Sequence, residues 1–187
     1  MRPRRNSLVV RLAALLGVLA LLGGCAAQVR DYEGREPALD LREYFDGPLV
    51  AWGIVQDRSG EMTRSFRVDM VGRWDGDTGV LEEDFSWSDG TTERRVWTFR
   101  RLDENNYVGT AGDVVGEAVG EARGNALHWR YTLALPWNDG TIDVFLDDWM
   151  WLIQDDVLVN RSEIRKFGLR VGEVTIFFQK LEATDAG

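Results

Sequence analysis

Leu127-His128-Trp129-Arg130-Tyr131-Thr132-Leu133-Ala134-Leu135 is the stretch that decides the fold. Its odd positions are all apolar or aromatic, while His128, Arg130 and Thr132 alternate with them. Successive side chains of a strand point to opposite faces, so this period of two marks a strand with one buried face. The pattern extends upstream. Arg95, Trp97, Phe99 and Arg101 share one parity; Leu81, Phe85 and Trp87 share another, with Glu83 among them; Phe66, Val68 and Met70 alternate with Arg67 and Asp69. Leu49 to Gln56 is apolar and β-rich. Downstream, Thr141 to Leu146 and Asp148 to Ile153 read as neighbouring strands or one bent strand. Val157 to Phe167 and Leu169 to Leu181 read as a hairpin around Gly168. Turn signals separate these runs at Asp57-Arg58-Ser59-Gly60, Ser88-Asp89-Gly90, Pro136 to Gly140 and Gln154-Asp155-Asp156.

Roughly nine or ten strands follow, with little helix. Pro37 to Phe45 allows a turn or two of helix in which Leu41 and Phe45 share a face, and Asp46-Gly47-Pro48 stops it. Regular turns without helical periods predict an all-β antiparallel up-and-down barrel or a sandwich. The barrel is preferred, because closure removes edges and no strand is charged enough to guard one. Gly116 to Arg123 repeats every four residues, and its even positions are all Gly or Ala. Such a strand either leaves room for a ligand or forms a tight packing seam, and strand glycine more often does the second.

The composition narrows location and partners. Met1 to Arg5 holds three arginines, and Leu12 to Leu22 is an apolar run of eleven residues ending at Gly23-Gly24-Cys25. A basic start, a short apolar run and a small-residue end make a secretory signal peptide, too short to span a bilayer comfortably. The division expected is a signal peptide at 1–24, a lipidated N-terminus and polar tether at 25–37, and one barrel domain at 38–187. Leu22-Gly23-Gly24-Cys25 resembles the bacterial lipobox, which implies lipid attachment to the Cys25 sulfur and cleavage before it. Ala26 follows, not the aspartate linked to inner-membrane retention, so an outer-membrane lipoprotein facing the periplasm is expected.

Four arginines precede Cys25, so the chain from there carries 18 basic against 31 acidic residues, a formal charge of −13. That balance disfavours nucleic acid, which needs a basic footprint, and an electrostatic grip on anionic lipid. The sole cysteine excludes internal disulfides, and the sole histidine makes histidine metal sites and relays poor candidates. No cofactor motif is found. Asp75-x-Asp77-x-Gly79 lacks the Gly and Glu that a calcium loop requires further on, and reads as a hairpin turn. No Gly-x-Ser-x-Gly elbow exists, and His128 lies on the polar face. The eight tryptophans read mostly as core, with Trp137 in its loop as the candidate rim or membrane-facing residue.

Ala51-Trp52-Gly53, Gln56-Asp57-Arg58-Ser59-Gly60, Leu81-Glu82-Glu83-Asp84-Phe85, Gly120-Glu121-Ala122-Arg123-Gly124-Asn125, Trp129-Arg130-Tyr131, Asp147-Asp148-Trp149-Met150 and Asn160-Arg161-Ser162 carry a family resemblance. From Leu39 to Lys180 the chain resembles a family of Gram-negative lipoproteins of unknown function. The resemblance implies a lipocalin-like, calycin-type barrel and brings no activity. The chain departs from true lipocalins in their Gly-x-Trp element: Trp52 is followed by Gly53, with Gly47 five positions before it.

Three functions are therefore expected in competition. The first is a membrane-anchored barrel binding a lipid or other small hydrophobic ligand, with Trp52, Glu83, Trp87, Arg95, Trp97, Trp129, Arg130 and Tyr131 as candidate pocket residues. The second is an envelope scaffold docking a protein partner on its acidic surface. The third is an enzyme using Glu or Asp with Arg inside the barrel, for which no catalytic residue is assigned.

Overall fold

A computed structural model describes residues 26–182. Ten strands follow one another: β1 (Gly47–Asp57), β2 (Met62–Asp75), β3 (Thr78–Trp87), β4 (Thr92–Arg101), β5 (Asn106–Thr110), β6 (Ala118–Arg123), β7 (Ala126–Trp137), β8 (Gly140–Gln154), β9 (Val157–Lys166) and β10 (Leu169–Lys180). Each pairs antiparallel with its sequence neighbours, and β1 pairs with β10 from Leu49↔Lys180 to Asp57↔Gly172, closing the barrel. The closure removes both sheet edges, so no strand has to guard one with charge. The Asp75 to Thr78 segment is the β2–β3 hairpin turn, with Gly76 at φ +57°.

One barrel end is plugged. Helix α1 (Leu41–Tyr44) precedes β1 and lies at the end where β10 finishes. Asp40 caps it, its carboxylate accepting from the backbone N–H of Arg42 at 2.8 Å. Leu41 and Phe45 enter the core from the face they share, as their spacing predicts. The Lys180 ammonium donates to the carbonyls of Asp46 at 2.7 Å, Tyr44 at 3.1 Å and Glu43, tying the end of the last strand to the plug. Gly72 makes the close approach possible. A Cβ there would sit 1.6 Å from the carbonyl oxygen of Phe45, so no other residue fits.

By strand direction, the turns β1–β2, β3–β4, β5–β6, β7–β8 and β9–β10 lie at the opposite end. Apolar side chains stand exposed at that end: Met62, Val115, Trp137, Phe167 and Leu169.

Several expectations need correction. β5 is absent from the sequence reading, because five residues are too few to establish a period. The segment expected as a tether is ordered. Val29–Tyr32 forms a 3₁₀ turn with Val29 buried, and the Tyr32 ring lies 5.9 Å from Trp149 and 6.5 Å from Trp151. Those two tryptophans are therefore outer-face residues covered by the leading segment, not core. His128 is half-buried on the same face, stacked on Trp149 at 4.3 Å and paired with Asp147 at 2.6 Å. The signal peptide and Cys25 lie outside the described residues.

The small face of β6 resolves in favour of the packing seam. Ala118, Gly120 and Ala122 point inward, and Trp129 opposes Gly120 and covers it. What the small residues vacate, an indole fills.

Candidate functional site

The barrel encloses a cavity of about 660 Å³, within the range of small-molecule sites. It runs from Leu41 and Phe45 at the plug to the exposed Glu93 and Pro136, and so opens at the end away from α1. Near the plug its walls are aromatic. Trp97 and Phe99 stack at 5.5 Å, and Trp129 meets Phe99 edge-on at 5.8 Å. Toward the mouth, Phe66 and Trp87 stand 4.9 Å apart on one side, and Leu133, Val144 and Leu146 cluster on the other. These side chains point inward because each has the parity of its strand's buried face.

A polar arc interrupts the apolar walls. Glu83 lies midway along β3 and opposes Arg95 of β4. The Arg95 guanidinium pairs with Asp113 at 2.7 Å and Glu93 at 3.4 Å, and sits over the Phe85 ring at 5.3 Å. Asp148 of β8 opposes Ser162 of β9 and is fully buried. The Asn160 amide donates to Asp148 and, at 3.1 Å, to the Trp149 carbonyl. The Tyr131 hydroxyl donates to Asp148 across a long 3.4 Å.

Burial governs the electrostatics. It pushes the Glu83 carboxyl up to about 7, against the pull of Arg95. It pushes Asp148 up to about 7 as well, against its hydrogen bonds from Asn160 and Tyr131. Burial also raises the Tyr131 hydroxyl well above its ordinary value, and the Asp148 charge adds to this. Two buried acids poised near neutrality can each give or take a proton, and both face the cavity. Glu83 Oε2, Arg95 Nε, Asp113 Oδ1 and Ser162 Oγ are buried without a hydrogen-bond partner among the described residues. Such orphans are rare in native interiors, and with Arg64 Nε five of them border one cavity.

Of the residues expected in the pocket, Glu83, Trp87, Arg95, Trp97, Trp129 and Tyr131 line it together. Trp52 and Arg130 do not. Trp52 is 45% exposed on the outer face with Arg67 over its ring, because Leu49, Ala51 and Gly53 hold the inward parity of β1. Arg130 is exposed for the same reason, being flanked by the inward Trp129 and Tyr131. Asp113, Asp148, Asn160 and Ser162 were missed. Parity alone places three of them: Asp148 shares the parity of Leu146 and Leu152, and Asn160 and Ser162 that of Leu158. Asp113 sits in the β5–β6 loop, which has no period.

A closed antiparallel barrel with one plugged end, one open end and a largely apolar interior is a lipocalin-like barrel. The chain belongs to a family of proteins of unknown function, DUF3833, which it matches over residues 19–180. No curated protein matches it. Among solved structures, the S-type phycobiliprotein lyase CPES from Guillardia theta is similar in fold, with a TM-score of 0.56 at 8% identity, over 84% of this chain and 100% of that one. At that identity the likeness establishes the fold alone.

Proposed function

We propose that this protein is a membrane-anchored, periplasm-facing barrel that holds a lipid or other small amphiphile. The observation that carries the reading is the 660 Å³ cavity, apolar at its plugged end and crossed by unpartnered polar groups. An amphiphile matches that arrangement, its tail against the aromatic walls and its head at the arc. Trp137, 61% exposed, and Phe167, 92% exposed, stand at the open end, where a tail would enter. The likeness in fold to a phycobiliprotein lyase is compatible with a small ligand.

Filling the cavity tests this. Leu133→Trp and Val174→Trp each place an indole in the lumen. Each should weaken binding of the fluorescent apolar probe N-phenyl-1-naphthylamine by about tenfold or more, which is roughly 1.4 kcal/mol. Native mass spectrometry of protein purified without detergent should show an added mass that delipidation removes. Probe binding unchanged in both filled variants would refute the cavity as the site.

The anchor is proposed at Cys25, which directly follows Leu22-Gly23-Gly24. Two or three acyl chains hold a protein stably where one does not. Cys25→Ala should abolish palmitate labelling and release the protein from the membrane fraction. It should leave the unfolding midpoint unchanged, because Cys25 precedes the 3₁₀ turn at Val29 and every strand of the barrel. The charge of −13 offers no compensating attraction to anionic lipid. Unlabelled wild type beginning at another residue by intact mass would overturn both anchor and location.

A further inference from the structure

We infer that the cavity selects its ligand by head-group charge: it takes an amphiphile whose head donates hydrogen bonds and bears no negative charge, an amine above all, and rejects carboxylates and phosphates. The inference rests on the ligand-binding reading and names the ligand class for that cavity.

The distribution of charge leads to it. Glu83, Asp113 and Asp148 border the interior of the lumen, and among the described residues Arg95 is the only cation deep in it. Arg95 is already surrounded, with Asp113 at 2.7 Å, Glu93 at 3.4 Å and Glu83 opposite it in register. It has no charge to spare for an anionic head. The other arginine on the wall, Arg64 near the mouth, is held too. It pairs with Asp89 at 2.7 Å and lies over the Trp87 ring at 3.9 Å. Among the described residues an incoming carboxylate would thus meet three acids and only cations already paired with acids, and like charges brought together in a dry site repel strongly.

Hydrogen bonding points the same way. Glu83 Oε2 and Asp113 Oδ1 are buried acceptors without a donor among the described residues, and Glu83 is fully buried. The Ser162 hydroxyl beside Asp148 is also unpartnered. Asp148 is met on one oxygen by Asn160 and on the other only by the long bond from Tyr131. Against these acceptors stand the orphaned Nε donors of Arg95 and, near the mouth, Arg64, so within the arc the unpartnered carboxylate oxygens outnumber the donors two to one. An ammonium supplies three and no acceptor, a hydroxyl supplies one, and a carboxylate supplies none.

A chain-matched series isolates the head. Dodecylamine, dodecanol and dodecanoate share a tail, so differences among them report the polar end. Each is titrated at pH 8, below its micelle concentration, against N-phenyl-1-naphthylamine bound to the folded protein. Dodecylamine should bind about tenfold or more tighter than dodecanoate, with dodecanol between them. In the Glu83→Gln, Asp148→Asn double variant the ratio should shrink to about twofold, because charge is removed while shape is kept. In Leu133→Trp, whose probe affinity is itself reduced, dodecylamine binding read directly by native mass spectrometry should be lost, which separates the lumen from the acidic exterior. Dodecanoate binding as tightly as dodecylamine to the wild type, or an unchanged ratio in the double variant, overturns the selectivity and leaves a ligand-binding barrel standing. Failure of the probe and all three amphiphiles to bind removes both readings.

Discussion

Asp148→Asn should make the barrel more stable at pH 8 and leave it nearly unchanged at pH 4. Burial raises the Asp148 carboxyl from 3.8 to about 7 and the Glu83 carboxyl from 4.5 to about 7. A group whose pKa is raised on folding binds more protons in the native state than in the unfolded chain. Stability is then fully present below the unfolded value and lost as pH rises through the folded one. The window is about pH 4 to 7 for both acids, and one pKa unit corresponds to about 1.4 kcal/mol. The amide introduced in place of the Asp148 carboxylate would keep an acceptor for Asn160, and its nitrogen would reach the Tyr131 oxygen, so the shape of the network survives. Asp148→Asn should therefore gain on the order of 3 to 4 kcal/mol at pH 8. Glu83→Gln should gain less, because Arg95 loses one of the carboxylates that answer its charge, although Asp113 remains. Urea unfolding at pH 4, 6 and 8 measures both. The wild type should weaken across that interval, and the double variant should stay nearly flat. Parallel curves for wild type and double variant would assign the pH dependence to other groups. The acids that weaken the empty barrel are those a donor head would meet, so stability and recognition oppose each other at one site.

How much of this was legible depended on the period of two. Where a strand runs long enough, parity alone places its side chains. Trp97, Phe99, Trp129 and Tyr131 were read inward and are inward, and Glu83 keeps the parity of Leu81 and Phe85 in a wall otherwise apolar. Trp52 misled because its chemistry suggested a pocket while its parity did not; the outer face of β1 carries it, and Arg67 shelters it. Trp149 and Trp151 misled for a different reason. Outward tryptophans look like core until the partner that covers them is known, and that partner is Tyr32, over a hundred residues away in sequence. Asp113 has no periodic neighbours, and only the closed barrel brings its loop against Arg95. The cavity itself was beyond reach, since its existence depends on how ten inner faces fill the lumen together.

Gly120→Ala should destabilise the protein by about 3 kcal/mol, the upper end of what overpacking costs. On an open strand the same change would help slightly, because glycine weakens strand interiors. Here the sign reverses. A Cβ at Gly120 would lie 1.9 Å from Cε3 and 2.4 Å from Cζ3 of Trp129, so the indole must leave its place. It can yield only into the lumen, giving up the contacts that hold it. Phe99 meets it edge-on at 5.8 Å and Trp97 at 6.2 Å. On its far side Trp129 Cζ2 already lies so near Gly109 that a Cβ there would stand 2.9 Å away. The two glycines, Gly109 of β5 and Gly120 of β6, thus form a slot for one ring. Gly112→Ala is the control: its Cβ would meet nothing within 4 Å, and its cost should stay within about 0.5 kcal/mol. Shrinking the ring should relieve the clash, so Trp129→Leu in the Gly120→Ala background should cost less than it does in the wild type. The non-additivity read from urea unfolding of the four proteins is the deciding quantity, because residues in contact couple and distant ones add. A Gly120→Ala variant as stable as Gly112→Ala would show that the ring is not held by the slot, and the packing seam would lose its basis.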